Sequence, residues 1–447
     1  MLLLLLVFAL AFSADGKIRE ITCQVAGLVG MAPVVQFGLA QRGTVSFDYS
    51  IMLNNEDVTL EQMNNYNLYF VAAVINEEMR SAYFDKLLEG QVFNLGDIEA
   101  ETMCNSPTIA RWQLHGTGNF THTVVGRDAR AERYTALLLQ CRTGLAASSS
   151  DYPTLDVSFG VTMTNARPGG NGVSHLGVED AMMVRSLEGE CIVYMMMLGG
   201  LLCQMWYHKG HNLNLQYMFL GCCLISVITA FIRYGRWYEM NFTGGYNVHL
   251  VLASRIFESI QEVAFLTTIV MLALGWSTIH FQLSDTQVKA TLSGMAFFLI
   301  MSLAWASCLS EDSRVCQSLY LVYYILHALV MLGIIICLNF TITQLRAMLS
   351  HSAWDPSTPY CYARTKQFQT FRIAFVLYLL LPTAIALVQE IMYTWEQDWL
   401  GTVLPDLLQI CLFLNVGSTF APLKDVFMNR AFSQQFVVPA DETPWGG

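Results

Sequence analysis

Arg255, Glu258 and Glu262 stand three and four residues apart within an otherwise apolar stretch. On a helix that spacing puts all three on one face. Ionisable or strongly polar residues break apolar stretches at three further places: His327, Gln389 with Glu390, and Asp406 with Gln409. A charge at the centre of a bilayer costs about 2.5–3.5 kcal/mol on insertion scales, so such residues face other protein, pair with one another, or line water. The expected site is a polar cavity of Arg255, Glu258, Glu262, His327, Glu390 and Asp406, able to take a ligand, a cargo segment or an ion. The competing reading is a set of interhelical pairs that only fix packing. In that reading Glu390 and Asp406 sit in interfacial water, and His327 is a satisfied core histidine.

Other chemistry finds little support. The region before the apolar stretches has no Gly-x-Ser-x-Gly, no His-Glu-x-x-His and no phosphate loop. His208 and His211 have a metal-like spacing but no third ligand nearby, so a solvated turn is expected. Seven-helix hydrolases assemble His with Asp and Ser around a metal, and no such set stands here. The expectation is a non-enzyme with no cofactor and no metal.

The elements that position these residues follow from hydropathy. Of 447 residues, 54% are hydrophobic and 13% charged, where a soluble chain carries about 25% charged. Apolar stretches fall at about 190–208, 214–233, 250–275, 288–309, 317–344, 370–394 and 402–421. Each has about the 20 residues that cross some 30 Å of hydrocarbon. The chain is therefore expected to be a seven-helix membrane bundle over 189–421, with a folded domain over 14–188 before it and a tail over 422–447. Residues 1–13 form a short apolar segment with Ala11 and Ser13 at a small-x-small step, expected to be a signal peptide. A net charge of −11 speaks against nucleic acid.

Orientation follows from positive charge. With the front domain lumenal or extracellular, Lys209, Lys289, Arg346, Arg364, Lys366, Arg372, Lys424 and Arg430 fall on the cytosolic side. Arg233, Arg236 and Arg314 fall outside, and the first two are exceptions at the end of the second stretch. The expected topology has the N-terminus lumenal and the C-terminus cytosolic. Two sequons, at Asn119 and Asn241, then lie on the glycosylated side, and a third, at Asn339, lies inside the fifth stretch. Cys23, Cys104, Cys141 and Cys191 share that oxidising side, as do Cys308 and Cys316 across a short loop. Four cysteines allow three connectivities. Cys104–Cys141 is the favoured pair, with free buried thiols as the alternative.

The front domain reads as mostly β. Residues 44–51 alternate, while 68–75 and 134–141 are continuous apolar runs, and 155–163 resembles them. A short helix is expected over 76–89. Short strands between Ser-, Gly- and Pro-rich turns suggest an antiparallel sandwich, a binding module rather than a catalytic one.

The third apolar stretch ends in Ala273-Leu274-Gly275-Trp276-Ser277-Thr278-Ile279, followed by Leu283-Ser284-Asp285. This resembles the Gly-Trp-(Ser/Thr) helix end of the GOLD-domain seven-transmembrane superfamily. That superfamily includes the intimal-thickness-related receptor and lung seven-transmembrane proteins, with Wntless as a relative. Arg233-Tyr234 with Gly244-Gly245, and Ser254-Arg255-Ile256-Phe257-Glu258, are similar to the receptor branch, and Tyr134 to Cys141 is similar to a late strand of the lumenal domain. The resemblance implies a seven-helix bundle with a GOLD-like β-sandwich. It implies work in the Golgi, the secretory route or the plasma membrane as a cargo receptor, trafficking factor or signalling receptor, and some members are proposed channels. It carries no catalytic residues.

The expected function is a receptor-like protein that binds a lumenal or extracellular protein or lipid ligand, or cargo, with trafficking or signalling partners on the cytosolic side. A cation channel or transporter using Glu258, Glu262, Glu390 and Asp406 is the alternative. A rhodopsin-type receptor is disfavoured. The third stretch ends without Asp-Arg-Tyr, and the seventh carries Asn415-Val416-Gly417-Ser418-Thr419-Phe420 in place of Asn-Pro-x-x-Tyr.

Overall fold

The computed structural model describes residues 20–26, 30–39, 43–53, 56–65, 68–76, 93–94, 110–123, 132–142, 154–166, 173–178, 180–207, 214–244, 247–276, 278–279, 284–308, 314–351, 358–392, 394–397 and 399–420. The chain divides into two units. One takes Met1–Val184, Trp237–Asn247 and Thr394–Trp399; the other takes Arg185–Arg236, Val248–Tyr393 and Leu400–Gly447.

The first unit is an antiparallel β-sandwich. Its strands are β1 (Glu20–Ala26), β2 (Gly30–Leu39), β3 (Thr44–Leu53), β4 (Glu56–Asp57), β5 (Leu68–Asn76), β6 (Phe93–Asn94), β7 (Ala110–Leu114), β8 (Thr117–Thr123), β9 (Glu132–Arg142), β10 (Thr154–Ala166) and β11 (Val173–Ser174), with a short helix α1 (Leu60–Asn65). One sheet runs β1-β10-β3-β4, with β8 also on β3 and β11 on β10; the other runs β6-β2-β9-β5-β7. In β3 the alternating Val45, Phe47 and Ile51 are buried, and in β10 so are Val157, Phe159, Val161 and Met163. Pairing sets Phe47 opposite Val161 and Tyr49 opposite Phe159. Phe47 is packed by Trp112, Phe120 and Phe159, with ring centroids 5.5, 4.8 and 5.5 Å away. Rings at such separations add attraction beyond their buried area.

Strands β5 and β9 do not alternate because both of their faces are buried. Phe70, Ala72, Val74, Ala136 and Leu138 face the intersheet core, while Val71, Ala73, Ile75, Leu137, Leu139 and Cys141 form a second buried layer. A strand buried on both sides reads as a continuous apolar run, as 68–75 and 134–141 do. Helix α1 has no apolar run of its own. A capping box starts it: Gln62 N–H donates to Thr59 Oγ1, and Thr59 N–H to Gln62 Oε1. The helix expected over 76–89 begins on Asn76, which ends β5 instead, and 77–89 lie outside the described residues.

The second unit is helical. The helices are α2 (Met183–Tyr207), α3 (Asn214–Thr243), α4 (Val248–Ala273), α5 (Asp285–Ala306), α6 (Arg314–His351), α7 (Thr358–Met392) and α8 (Trp399–Thr419). Among the described residues, these seven are long and apolar enough to cross a membrane. The protein is a multi-pass membrane protein, with a β-sheet region preceding seven apolar helices.

Several helices outrun their apolar stretches. Helix α2 starts at Met183, ahead of the expected boundary at 189, because Met183 and Leu187, one turn apart, are both buried before the apolar run becomes dense. Helix α6 has 38 residues, about 57 Å at 1.5 Å per residue, so it extends past a bilayer core. Helix α3 continues to Thr243, beyond the expected end at 233. Arg233 and Arg236 are thus helix-borne rather than loop charges. Arg364, expected on the cytosolic side, is buried within α7. Its Nη1 donates to Gln367 Oε1 at 2.9 Å, and Gln367 Nε2 donates to the Thr419 carbonyl at 2.7 Å.

The end of α4 has a specific cause. Gly275 adopts φ +74°, in the left-handed region. Its N–H donates to the Leu272 carbonyl, and Trp276 N–H donates to the Met271 carbonyl. These are the two bonds of a Schellman cap. A Cβ at Gly275 would stand 3.0 Å from Ile279 Cδ1. Ser284 and Gln287 then form the capping box that starts α5. Ser277 lies outside the described residues. A disulfide joins Cys308, after α5, to Cys316 in α6, with Cα atoms 5.7 Å apart.

Candidate functional site

The polar residues of the helical unit gather in two clusters that share α4. The first surrounds Arg233 of α3. Its Nη2 donates to Asp406 Oδ2 of α8 at 2.7 Å. Its Nη1 lies 3.4 Å from Glu190 Oε1 of α2, and its Nε lies 3.4 Å from Glu258 Oε1 of α4. One guanidinium thereby ties four helices. Its planar fork of donors suits this better than a point charge would. Glu258 also accepts from Ser254 Oγ, one turn earlier on α4, at 2.8 Å. Close by, Gln261 Nε2 of α4 donates to Tyr194 Oη of α2. Apolar packing of Cys191, Tyr194, Val227, Ala230 and Ile410 joins α2, α3 and α8 around this level.

Exposure grades across the cluster. The side chains of Glu190 and Arg233 are 9% and 12% accessible, Asp406 is 23%, and Glu258 is 41%. With all four groups ionised, three carboxylates face one cation, a formal surplus of two negative charges.

The second cluster links α4 to α6. Tyr323 Oη donates to Glu262 Oε2, and His327 Nε2 lies 3.3 Å from Glu262 Oε1. Tyr323 and His327 are one turn apart on α6, so both reach the same carboxylate. Rings of α5 stack on them. Trp305 lies 5.3 Å from Tyr323 at 8°, and Phe298 lies 5.7 Å from Tyr323 and 6.1 Å from His327. Glu262 and His327 remain about 30% accessible (31% and 29%).

Glu258 and Glu262 are four residues apart on α4, so a single helix carries one acid of each cluster. Arg255, on the same face, donates through Nη1 to the carbonyl of Cys308, at the disulfide that joins α5 to α6. Arg255 and Glu258 share a face of α4, but Glu258 pairs with Arg233 of another helix. A longer α3 brings its own guanidinium to that carboxylate.

The structure thus brings together Glu258 with Asp406, and Glu262 with His327. Glu390 lies on α7, its side chain outside the described residues. Glu190, Arg233 and Tyr323 belong to the clusters but escaped the sequence reading. Glu190 sits where the first apolar stretch begins, and Arg233 looked like the end of the second. For Arg233 the signal was its anomaly in the charge rule; Glu190 and Tyr323 carried none. Among the described residues, no group of three or more His, Cys, Asp and Glu could hold a metal ion.

Other marked positions are placed as follows. Cys141 is disulfide-bonded, and Cys104 lies outside the described residues, while Cys191 is a buried free thiol. Asn119 is exposed on β8. Asn241 is in the last turn of α3, past the expected end of the second apolar stretch at 233, because the helix runs on through it.

Comparison with curated proteins returned no match. Residues 188–426 match the family model described as GOST, seven transmembrane domain.

Proposed function

The chain belongs to the GOST seven-transmembrane-domain family, and from that premise we propose that it is a receptor-like protein of the secretory pathway or cell surface. Its N-terminal sandwich faces the lumen or the cell exterior. It binds a ligand or cargo there and serves signalling or protein trafficking.

One observation carries the reading. Helix α4 packs against α5 and α6 and is tied through Arg233 to α2, α3 and α8, yet Glu258 and Glu262 keep 41% and 31% of their side-chain surface accessible. In this reading the two accessible carboxylates line a space between helices. Each is also paired, Glu258 with Arg233 and Glu262 with Tyr323 and His327, and the part of each that stays accessible suits water or a polar ligand rather than hydrocarbon. Such a space, polar on α4 and aromatic on α5 and α6, supports ligand binding. Proximity labelling from the N-terminal domain of tagged full-length protein, compared with Glu258→Gln and Glu262→Gln, tests it. A set of labelled secreted or membrane proteins that shrinks in the variants supports the reading. An identical set in all three, at equal expression, sinks it.

A cation channel or transporter is the second reading, favoured by the surplus of carboxylates over the single guanidinium. Purified protein in liposomes would then pass cations, and Glu262→Gln would alter the flux. No flux from the wild-type protein removes this reading.

A further inference from the structure

Three Asn-x-Thr sequons occur in the chain, and the structure separates them. Asn119 and Thr121 lie on strand β8, where residues two apart share a face. Both are exposed. Their neighbours on that face are short and polar: Asn119 stands opposite Asp48, and Thr121 opposite Ser46. Among the described residues no large side chain stands opposite Asn119, and the Thr121 hydroxyl lies 2.9 Å from that of Ser46.

The other two sequons lie on helices, where residues two apart do not face each other. Asn241 is half-buried in the last turn of α3, its Oδ1 accepts Ser174 Oγ at 2.6 Å, and its carbonyl accepts His175 N–H. Thr243 Oγ1 donates to the Glu239 carbonyl of its own helix. Asn339 lies within α6 and accepts from Arg372, and Thr341 is buried and donates to the Ala273 carbonyl. A glycan added to either helix before folding would have to be accommodated in a packed or apolar setting.

We propose that Asn119 is the N-glycosylated residue of this protein and that Asn241 and Asn339 are left unmodified. In the transfer, the Asn119 amide nitrogen bonds to C1 of an oligosaccharide carried on a polyprenyl pyrophosphate. The C1–O bond to the pyrophosphate breaks, the lipid pyrophosphate leaves, and the amide nitrogen gives up one proton. The position has a physical use. Among the described residues β8 pairs with β3 alone, so it is a sheet edge, and a bulky hydrophilic group beside an edge discourages strand addition by another chain.

The inference rests on the lumenal placement of the N-terminal sandwich, and the experiment separates the two. Full-length protein is expressed in cells with a secretory pathway, treated with a peptide N-glycosidase, and compared by gel mobility. The expected result is a one-glycan shift that vanishes in Asn119→Gln and in Thr121→Ala, and persists in Asn241→Gln and Asn339→Gln. A shift that survives Asn119→Gln, or is lost in Asn241→Gln, overturns the assignment. If the wild-type protein shows no shift, protease treatment of intact microsomes decides. A protected N-terminal domain overturns the glycan assignment and leaves the topology standing; a digested one overturns the topology and the assignment with it.

Discussion

Replacing Arg233 by methionine removes the group that holds four helices together, and the geometry sets how severe this is. Three carboxylate oxygens lie 2.7, 3.4 and 3.4 Å from its nitrogens. At an effective dielectric of about 20, each attraction is about 5–6 kcal/mol before costs. Desolvation of the guanidinium and repulsion among the three acids offset much of this. Breaking a buried pair by removing one partner typically costs about 3–5 kcal/mol, since the remaining charge stays uncompensated. Arg233 and Glu190 are nearly enclosed, so that range applies to Arg233→Met. Asp406→Asn loses the shortest contact but keeps a polar group in place, and about 1.5–3 kcal/mol is expected for a bond to a charged group. Glu258 is well over a third exposed, so solvent screening holds Glu258→Gln to about 1 kcal/mol or less. A bundle of this size shifts its Tm by about 2–4 °C per kcal/mol. Thermal unfolding in nanodiscs, read by dye labelling of buried cysteines, should therefore place Arg233→Met on the order of 10 °C below the wild type. Asp406→Asn should fall between it and Glu258→Gln. Arg233→Lys should restore only part of the loss, because one ammonium cannot reach three helices as a planar fork can. A full rescue by lysine, or Glu258→Gln as the most damaging change, would refute the argument.

Three further outcomes follow from particular contacts. Gly275→Ala should cost about 1–2 kcal/mol for a left-handed non-glycine residue, seen as a lower Tm with unchanged helix content by circular dichroism. Phe47→Ala should cost about 3–5 kcal/mol as a fully buried ring leaves a cavity, read as faster proteolysis of the N-terminal region while the helical region resists. Cys308→Ala should leave Cys316 open to a maleimide that does not label the wild-type residue, measured by mass spectrometry of the Cys316 peptide under non-reducing conditions.

Much of the scaffold was legible because its signals are local. Seven apolar stretches and strand alternation in β3 are properties of short windows, and each helix or strand reads its own pattern. The Gly275 stop was legible for the same reason: a left-handed cap needs one residue type at one position. Helix extent was less legible. Arg233 ends an apolar run by composition, but on the chain it is a mid-helix residue, since carboxylates from three other helices neutralise it. Strands β1, β2, β7 and β8 and the capped α1 were less legible: β1 and β7 alternate only over seven and five residues, β2 is broken by Pro33 and two glycines, and α1 has no apolar run of its own.

The sequence by itself determined that polar and charged groups lie among apolar helices, and that Arg255, Glu258 and Glu262 share one face. Periodicity along one helix fixes a face without reference to any neighbour. Only the tertiary structure decided the partners: Arg233 with Asp406, 173 positions away along the chain, and Glu262 with Tyr323 and His327. Which charges meet depends on which helices pack and at what depth. No window of sequence contains that, because ion pairing is set by distances of a few ångströms between segments that are remote along the chain.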